Sequence, residues 1–385
     1  MLRTKILPFI LVVLASLVSC IKEYDPVIVA EDAKKLVVSG SILDNQQVQI
    51  INISRTAQIE APEYIPVLNC QVSAIDNSGN SFIFTDMANG NYACHIEPSY
   101  LTPGTKWKVQ IITPESETIV SDDEEMTSNS GVDSVYYERE DIESNIPGDF
   151  TKGIRFLVDV NNSVSDSRYY KWELTETWEY HADYPVIWWY DGEVHMKWPP
   201  DSSMMFCWNT QKVPYIYTLT TEQLSDNKFK KLPLHFVDNI SPRLVHLYSL
   251  LTVQYSLTRS AYIYWDQLKT NSQEQGGLYD KQPLAIKGNL HNITNPDEEV
   301  LGYFFASSVK EKRIFVSNVP GLELEFTTLC NLQVLRKGLR ELVPSDYPAY
   351  LYGDEKGWVP VLLDKLCVEC TGAGGVTVKP DYWPN

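Results

Sequence analysis

The sequence has no long apolar run beyond its first twenty residues, and it has few basic residues for its length. Of its 385 residues, 32 are Lys or Arg and 50 are Asp or Glu, which gives a formal net charge of −18 at pH 7. Proteins that bind nucleic acid need a basic surface to meet the phosphates, so this balance argues against a nucleic-acid partner. A transmembrane helix requires roughly 20 consecutive apolar residues, and no segment after the amino-terminal one has them.

Motifs for catalysis, phosphate binding and metal binding are also missing. The sequence has no Gly-x-Ser-x-Gly elbow, Gly-x-Gly-x-x-Gly loop or P-loop, and its six histidines show no His-Glu-x-x-His spacing. We therefore predict neither a cofactor nor a metal, and we favour binding over catalysis. Carboxylates are abundant, however, so a pair of acids of the glycosidase type could lie among them without a signature.

The first twenty residues have the pattern of a lipoprotein signal peptide. Arg3 and Lys5 precede an apolar run at 6–17, which is followed by the small-residue sequence Val18-Ser19-Cys20. That run, about 12 residues long, is too short to span a bilayer. We predict a signal peptide at 1–19, lipid on Cys20 and a tether at 20–34. Two or more acyl chains suffice for stable anchoring, so the protein should stay on its membrane.

Residues 35–121 have the pattern of a β-sandwich. Short runs with apolar residues at every second position alternate with turn residues such as Asn89-Gly90 and Pro103-Gly104. About seven strands in so short a segment are typical of an Ig-like sandwich. The predicted strands are 36–42, 48–53, 67–75, 81–85, 91–96, 107–112 and 118–121.

The rest of the chain is predicted to form a second, larger β-rich domain of sandwich type. Residues 122–130 are acidic and poor in apolar side chains, which predicts a solvated linker, and the second domain then runs from 131 to 385. One segment of this domain, 260–270, has helical spacing. Its apolar positions are Ala261, Tyr262, Trp265 and Leu268. We therefore predict a mainly β fold with one or two short helices packed on a sheet.

The six cysteines after Cys20 predict disulfides, because an even number is typical of oxidised, exported proteins. Cys70 and Cys94 fall on the apolar sides of two predicted strands, which predicts a bridge between them. Cys367 and Cys370 lack the further ligands that zinc needs, so we predict a second, small bridge that holds the carboxyl-terminal tail. Sequence alone leaves the connectivity open.

Aromatic residues are concentrated at 169–198, where a turn at Asp191-Gly192 predicts a hairpin over 186–198. Aromatic rings with polar edges are surfaces on which glycans or peptides stack. The predicted binding patch consists of Trp178, Tyr184, Trp188, Trp189, Tyr190 and Trp198. The alternative is that one set of these rings packs into a core, because successive side chains of a strand point to opposite sides.

Several separated pieces of the sequence share one order with a known family. They are LVVSGSI at 36–42, the Cys207-Trp208 pair, YSL at 248–250, AYIYWDQL at 261–268, GGLYDKQP at 276–283, GN at 288–289, NPDEEVLGYF at 295–304, and CVEC at 367–370 with the Gly, Lys-Pro and Trp residues that follow it. These pieces resemble the Bacteroidetes outer-membrane lipoproteins classed as domain of unknown function 4249. A second likeness, at 84–96, is to the turn of carboxypeptidase regulatory-like sandwich domains, and it agrees with a sandwich at 35–121.

The first resemblance implies a location and a role. Members of that family are described as lipoproteins often encoded beside TonB-dependent transporters. The resemblance implies that the protein is anchored by lipid to the outer membrane and exposed at the cell surface. There it would assist such a transporter or capture its cargo, and a glycan or peptide is a possible ligand. The alternatives are a surface hydrolase of glycans or peptides and a structural or adhesion module of the envelope.

Overall fold

The computed structural model describes residues 35–58, 61–129, 131–144, 146–163, 167–273, 286–336 and 338–384. Strands dominate these ranges, which confirms the predicted mainly β fold class. The predicted signal peptide, Cys20 and the tether lie outside the described residues. No helix within the described ranges combines the length and the apolar character needed to cross a membrane.

The described strands are numbered here in chain order. They are β1 (Leu36–Leu43), β2 (Val48–Arg55), β3 (Ile65–Pro66), β4 (Gln71–Asp76), β5 (Ser81–Asp86), β6 (Asn91–His95), β7 (Lys106–Ile112), β8 (Thr118–Ser121), β9 (Glu124–Glu125), β10 (Ser134–Glu143), β11 (Phe150–Asn161), β12 (Tyr169–His181), β13 (Val186–Tyr190), β14 (Val194–Asp201), β15 (Phe206–Lys212), β16 (Tyr217–Thr220), β17 (Lys228–Asp238), β18 (Tyr248–Leu257), β19 (Leu290–Asn292), β20 (Leu301–Ser307), β21 (Val309–Val316), β22 (Leu332–Val334), β23 (Tyr350–Asp354) and β24 (Gly357–Leu363). Helix α1 spans Arg259–Gln273, and 3-10 turns lie at Pro242–Leu244, Leu339–Glu341, Pro344–Asp346, Lys365–Cys367 and Cys370–Ala373.

The amino-terminal strands form a curled, nearly closed sheet. Its strand order is β19-β8-β7-β4-β5-β6-β2-β1-β20, with β3 beside β2 and β9 beside β7. Alternation explains the local structure: in β7 the side chains of Trp107, Val109 and Ile111 are buried, whereas Lys106 is exposed. The strands β19 and β20 come from residues 290–307, so the sheet draws on chain far beyond the predicted boundary at 121.

Asn289 joins the two ends of this barrel-like sheet. Its side-chain amide donates to the carbonyl oxygen of Phe304 at 2.7 Å, and its Oδ1 accepts from the Phe304 N–H at 3.0 Å. Gly288 and Gly302 allow the close approach that this closure requires. A Cβ on Gly288 would lie 1.9 Å from the Gly302 carbonyl oxygen, and one on Gly302, where φ is +100°, would lie 1.9 Å from that of Val38.

We predict that Gly302→Ala lowers the free energy of unfolding by roughly 2 kcal/mol, because the methyl group meets backbone and the residue keeps a positive φ. Gly79→Ala is the matched control, since Gly79 also has a positive φ but no atom lies within 4 Å of an added Cβ. Thermal unfolding of the two variants measures the difference. An equal loss of stability in the two variants would show that the positive φ of Gly302, and not its close approach to Val38, makes the substitution unfavourable.

The acidic segment 122–130 is not the solvated linker that its composition predicts. Glu124 and Met126 are buried, with 2% and 0% of their surfaces exposed. The Glu124 carboxylate accepts hydrogen bonds from the hydroxyls of Tyr303 at 2.5 Å and Thr258 at 2.6 Å. Burial nevertheless raises the pKa of Glu124. Its partners lie 134 to 179 residues later in the chain, which is why the local composition is misleading.

A sandwich follows the barrel-like sheet. One sheet has the order β10-β11-β17, and the other has the order β15-β12-β18-β21 with β16 also beside β12. Their shared core includes Phe156 from β11, Trp172 from β12 and Tyr248 from β18, and the rings of Phe156 and Tyr248 stack at 5.5 Å. This packing supports the predicted sandwich-type architecture.

Helix α1 confirms the helix predicted at 260–270 and packs beside a buried lysine. The hydroxyl of Thr258 accepts from the N–H of Ala261 at 3.2 Å, as an N-cap does. Lys171 of β12 lies under the helix, with its ammonium 3.6 Å from the centre of the Trp265 ring and 2.6 Å from a Glu173 carboxylate oxygen. Phe305 of β20 lies on the same ammonium, so this cluster joins helix, sandwich and barrel-like sheet.

A small five-stranded sheet completes the fold. Its order is β14-β13-β23-β24-β22, and it therefore combines the predicted hairpin with strands from the last sixty residues of the chain. One side of this sheet packs on the 3-10 turn at Leu339–Glu341, through Tyr190, Leu339 and Leu351.

Candidate functional site

The hairpin predicted at Asp191-Gly192 is confirmed. Strands β13 and β14 pair with Trp188 opposite Met196, Trp189 opposite His195 and Tyr190 opposite Val194. Gly192 takes a φ of +119° in the turn, a conformation that favours glycine. His195 Nε2 lies 2.8 Å from Asp191 Oδ1, which ties the strand to its own turn.

Strand β14 exposes a row of apolar side chains at the end of the sheet. Val194, Met196 and Trp198 alternate along it and are 37%, 40% and 55% exposed. Because alternate residues share one side of a strand, the three form a continuous row. His195 and Lys197 point to the other side, so β14 has an apolar and a polar face along a single sheet edge. We call this the hairpin edge (residues 193–198).

Strand β13 holds the hairpin to the body of the protein. The Tyr190 hydroxyl donates to the carbonyl oxygen of Leu339 at 3.0 Å, and Trp188 Nε1 donates to that of Asp354 at 3.0 Å. Both rings pack with Leu351 in one cluster. A rigid support of this kind keeps the hairpin edge in one orientation.

The six aromatic residues predicted as one patch do not share one surface. Trp178 packs into the sandwich core, Tyr190 is buried, and Trp188 packs against the cluster around Leu351. Tyr184 contacts the edge of the Tyr352 ring at 5.2 Å, and Trp189 stacks on His195 at 5.0 Å. Of the six, Trp198 alone is more than half exposed. Sequence reasoning missed Val194 and Met196, although their alternation with Trp198 carried the signal.

Two disulfides brace the same region, and both differ from the predicted pairs. Cys207 bonds Cys370, and Cys330 bonds Cys367. Cys367 and Cys370 thus do not bond each other, because each lies in its own 3-10 turn and packs into a different cluster. The first bridge ties β15 to the tail, and the second ties the segment before β22 to the turn after β24.

Cys70 and Cys94 are free thiols, so the predicted bridge between them is wrong. Both do turn toward the barrel core, as predicted. Strand β5 lies between β4 and β6, however, and two strand spacings amount to roughly 10 Å. A disulfide needs Cα atoms within about 7 Å, so facing the same core is not sufficient.

We predict that a non-reduced peptide map contains Cys207 linked to Cys370 and Cys330 linked to Cys367. Cys70 and Cys94 should react with alkylating reagent once the protein is denatured, without prior reduction, because neither is oxidised. Mass spectrometry of the digest measures both. A peptide holding Cys367 bonded to Cys370 would contradict the structure.

A second group of polar side chains is buried inside the sandwich. The Glu176 carboxylate accepts from the Tyr248 hydroxyl at 2.9 Å and from the Gln211 amide at 2.6 Å, and His235 Nε2 lies 3.2 Å from it. Burial raises the pKa of Glu176, but the hydrogen bonds of His235 and Gln211 and the charge of Arg243 outweigh it and bring the pKa to about 2. Glu176 is 2% exposed, so this network stabilises the fold.

A surface pocket of about 650 Å³ lies under the loop at 293–300 and is lined by His291, Asn292 and Glu298 among others. Close to it, burial raises the pKa of Glu117, and the hydrogen bond and charge of Glu298 raise it further. The Glu117 and Glu298 carboxyl groups are therefore neighbours at the edge of this pocket. Among the described residues, no three His, Cys, Asp or Glu side chains are placed to hold a metal ion.

Comparison with known families adds an assignment. The sequence model of the family called domain of unknown function (DUF4249) matches residues 21–313. The chain belongs to this family. The DUF4249 match includes the hairpin β13–β14 and most of β21, whereas β22–β24, which support the hairpin, lie beyond it.

Other comparisons add little to the DUF4249 assignment. No curated protein matches the chain. One solved structure with partial similarity is trypsin-activated alpha-2-macroglobulin from Escherichia coli, at 9% identity over 62% of this chain. The chain spans about 15% of the length of that protein, and the TM-score of 0.19 is too low to support an argument about fold or function.

Proposed function

We propose that this protein acts by binding, as a lipid-anchored outer-membrane protein of Bacteroidetes that lies at the cell surface and assists a TonB-dependent transporter or captures its cargo. The observation that supports a binding role is the hairpin edge, where Val194, Met196 and Trp198 stand exposed on a rigid support. The family membership, together with the lipoprotein pattern at Cys20, supports the location.

An exposed apolar edge strand is prone to aggregation unless a partner covers it. Such an edge presents unpaired backbone groups as well as apolar side chains, and proteins usually protect it. Contacts with a partner are commonly dominated by a central aromatic residue such as Trp198. A hairpin that is already folded and paired with β23 loses little conformational entropy on binding, which favours affinity.

The test is purification of the tagged protein from membranes in mild detergent. We expect a TonB-dependent transporter to co-purify with the wild type, and Trp198→Ala to lower its recovery by about tenfold. Tyr215→Ala is the control, since Tyr215 is 52% exposed but lies outside the hairpin. Recovery without any transporter under several growth conditions would overturn the partnership. Equal recovery of the transporter with Trp198→Ala and with Tyr215→Ala would show that the hairpin does not contact the transporter.

A surface hydrolase of glycans or peptides is the second candidate, and the observation that favours it is the set of carboxyl side chains at the 650 Å³ pocket, where Asp297, Glu298 and Glu299 line the wall and Glu117 lies close by. Glycosidases use one protonated and one ionised carboxyl group. The purified protein would then release reducing ends from a panel of polysaccharides, and Glu117→Gln and Glu298→Gln would each abolish the release. No release by the wild type would remove this candidate.

A further inference from the structure

We infer that the hairpin edge pairs with the hairpin edge of a second copy of this chain, antiparallel and across a two-fold axis. The inference rests on the proposed function only in taking the hairpin as a binding site: it assigns the backbone edge at 193–197 to a second copy, and Trp198, outside the paired residues, stays available to another partner. Three features of the strand carry it: its open backbone edge, its division into an apolar and a polar face, and the order of its charges.

The backbone of β14 is open on one side. Strand β14 ends the five-stranded sheet, and within the described part of the chain no strand pairs with its outer edge. An edge strand of this kind accepts a further strand through main-chain hydrogen bonds. Two copies joined there would form one continuous sheet of ten strands, five from each copy.

The side chains are self-complementary in one register. When two copies of Glu193-Val194-His195-Met196-Lys197 run antiparallel with His195 on the axis, Glu193 of each copy lies opposite Lys197 of the other. Val194 then lies opposite Met196 on the apolar face. Directly opposed side chains in such a pair are about 5 Å apart, close enough for an ion pair and for apolar contact.

Registers shifted toward the carboxyl end are unfavourable. A shift by one residue pair leaves Lys197 with no carboxylate opposite it, and a further shift places Lys197 opposite itself. Like charges directly opposite each other destabilise a strand pair. Pro199 and Pro200 lack a backbone N–H, so they limit the pairing to residues before them.

The charges are available for this contact. Glu193 is exposed, and Lys197 has 52% of its side chain exposed although it also contacts Asp201 of its own chain. An ammonium group has three donors, so Lys197 can bond Asp201 and a second carboxylate together. Lysine on an edge strand usually repels an incoming strand, but Glu193, four residues earlier, supplies the counter-charge when the incoming strand is a second copy.

Crosslinking in intact cell envelopes tests the geometry. His195→Cys places two thiols on the two-fold axis, where Cα atoms of paired residues lie within disulfide range. We expect a covalent dimer on a non-reducing gel after mild oxidation. Val334→Cys is the matched control, because Val334 is 71% exposed on β22, at the opposite edge of the same sheet. The inference would be overturned if His195→Cys gave no more covalent dimer than Val334→Cys. A disulfide between His195→Cys and a different protein would overturn it as well.

Charge reversal tests the register. In the full-length lipoprotein in detergent, we expect Glu193→Lys and Lys197→Glu each to weaken dimerisation by about tenfold in sedimentation, and the double variant to restore it. Failure of the double variant to restore dimerisation would overturn the register. Transporter co-purification is measured in parallel: a dimer without a transporter contradicts only the proposed function, and a transporter complex containing one copy contradicts only the self-pairing.

Discussion

Replacing Glu176 by Gln is expected to lower the free energy of unfolding by about 3 kcal/mol at neutral pH, the value that corresponds to a pKa shift from 4.5 to about 2. The loss arises because the substitution leaves Arg243 and His235 facing a neutral amide inside the sandwich. Removing one partner of a buried ionic network costs more than the network itself contributes. Urea unfolding, followed by tryptophan fluorescence, measures the change.

The pH dependence gives the same prediction a second, independent test. Since folding lowers the pKa of Glu176, its stabilisation is complete above about pH 4.5 and disappears as the pH falls toward 2. The gap between wild type and Glu176→Gln should therefore narrow over that range. Glu138→Gln is the control, because Glu138 forms an exposed ion pair with Lys231, and its loss should cost less than about 1 kcal/mol. If the difference in stability between wild type and Glu176→Gln stayed constant down to pH 3, the charge of Glu176 would not be what stabilises the fold.

Replacing Glu173 by Gln is expected to cost about 3 kcal/mol, because it leaves the buried Lys171 ammonium without its counter-charge. Burial lowers the pKa of Lys171, and the charge of Glu173 opposes that effect. Lys171→Met should cost about 1 kcal/mol or less, because an apolar chain fills the space beside Trp265 while Glu173, 42% exposed, stays hydrated.

The comparison of these two variants is the decisive measurement. A larger loss for Glu173→Gln than for Lys171→Met would show that the ammonium is held by its carboxylate, with Tyr255 and the rings as additional contacts. Equal losses would show that packing against Trp265 matters more than charge. Both variants should be followed through Trp265 fluorescence in a background with fewer tryptophans, since the chain has 10 of them.

The periodic spacing of apolar residues correctly predicted the strands and the helix whose conformation depends on residues close together in the sequence. Period-two alternation identified the first seven strands of the chain that have four or more residues, β1, β2 and β4–β8, and helical spacing identified α1. The Asp191-Gly192 turn located the hairpin for the same reason, since its conformation depends on two adjacent residues. The closure by β19 and β20 was missed, because partners so distant in sequence leave no periodic signal near either end.

Charge and cysteine patterns failed where tertiary contacts decide. Glu124 looked like part of a solvated acidic run, yet Tyr303, Thr258 and Ser260 solvate its carboxylate inside the fold. Cys367 lies three residues from Cys370, but its partner is Cys330. In the candidate site, the sequence predicted a patch of six aromatic residues, but the exposed apolar row is Val194, Met196 and Trp198. These side chains are exposed because β14 is the edge strand of its sheet, and the order of strands in a sheet cannot be read from the spacing of residues.

The parallel pairing of β1 with β20, in which Val37 lies beside Leu301, has a consequence for how the chain acquires its structure. A polypeptide that emerges from a ribosome or a translocation channel amino terminus first presents β1 and β2 long before β20 exists. The loop that must close between them exceeds two hundred residues, and such late, non-local pairing slows folding. Until residue 307 has emerged, the first sheet has an unprotected end, and a chaperone that covers extended strands would protect it during that interval.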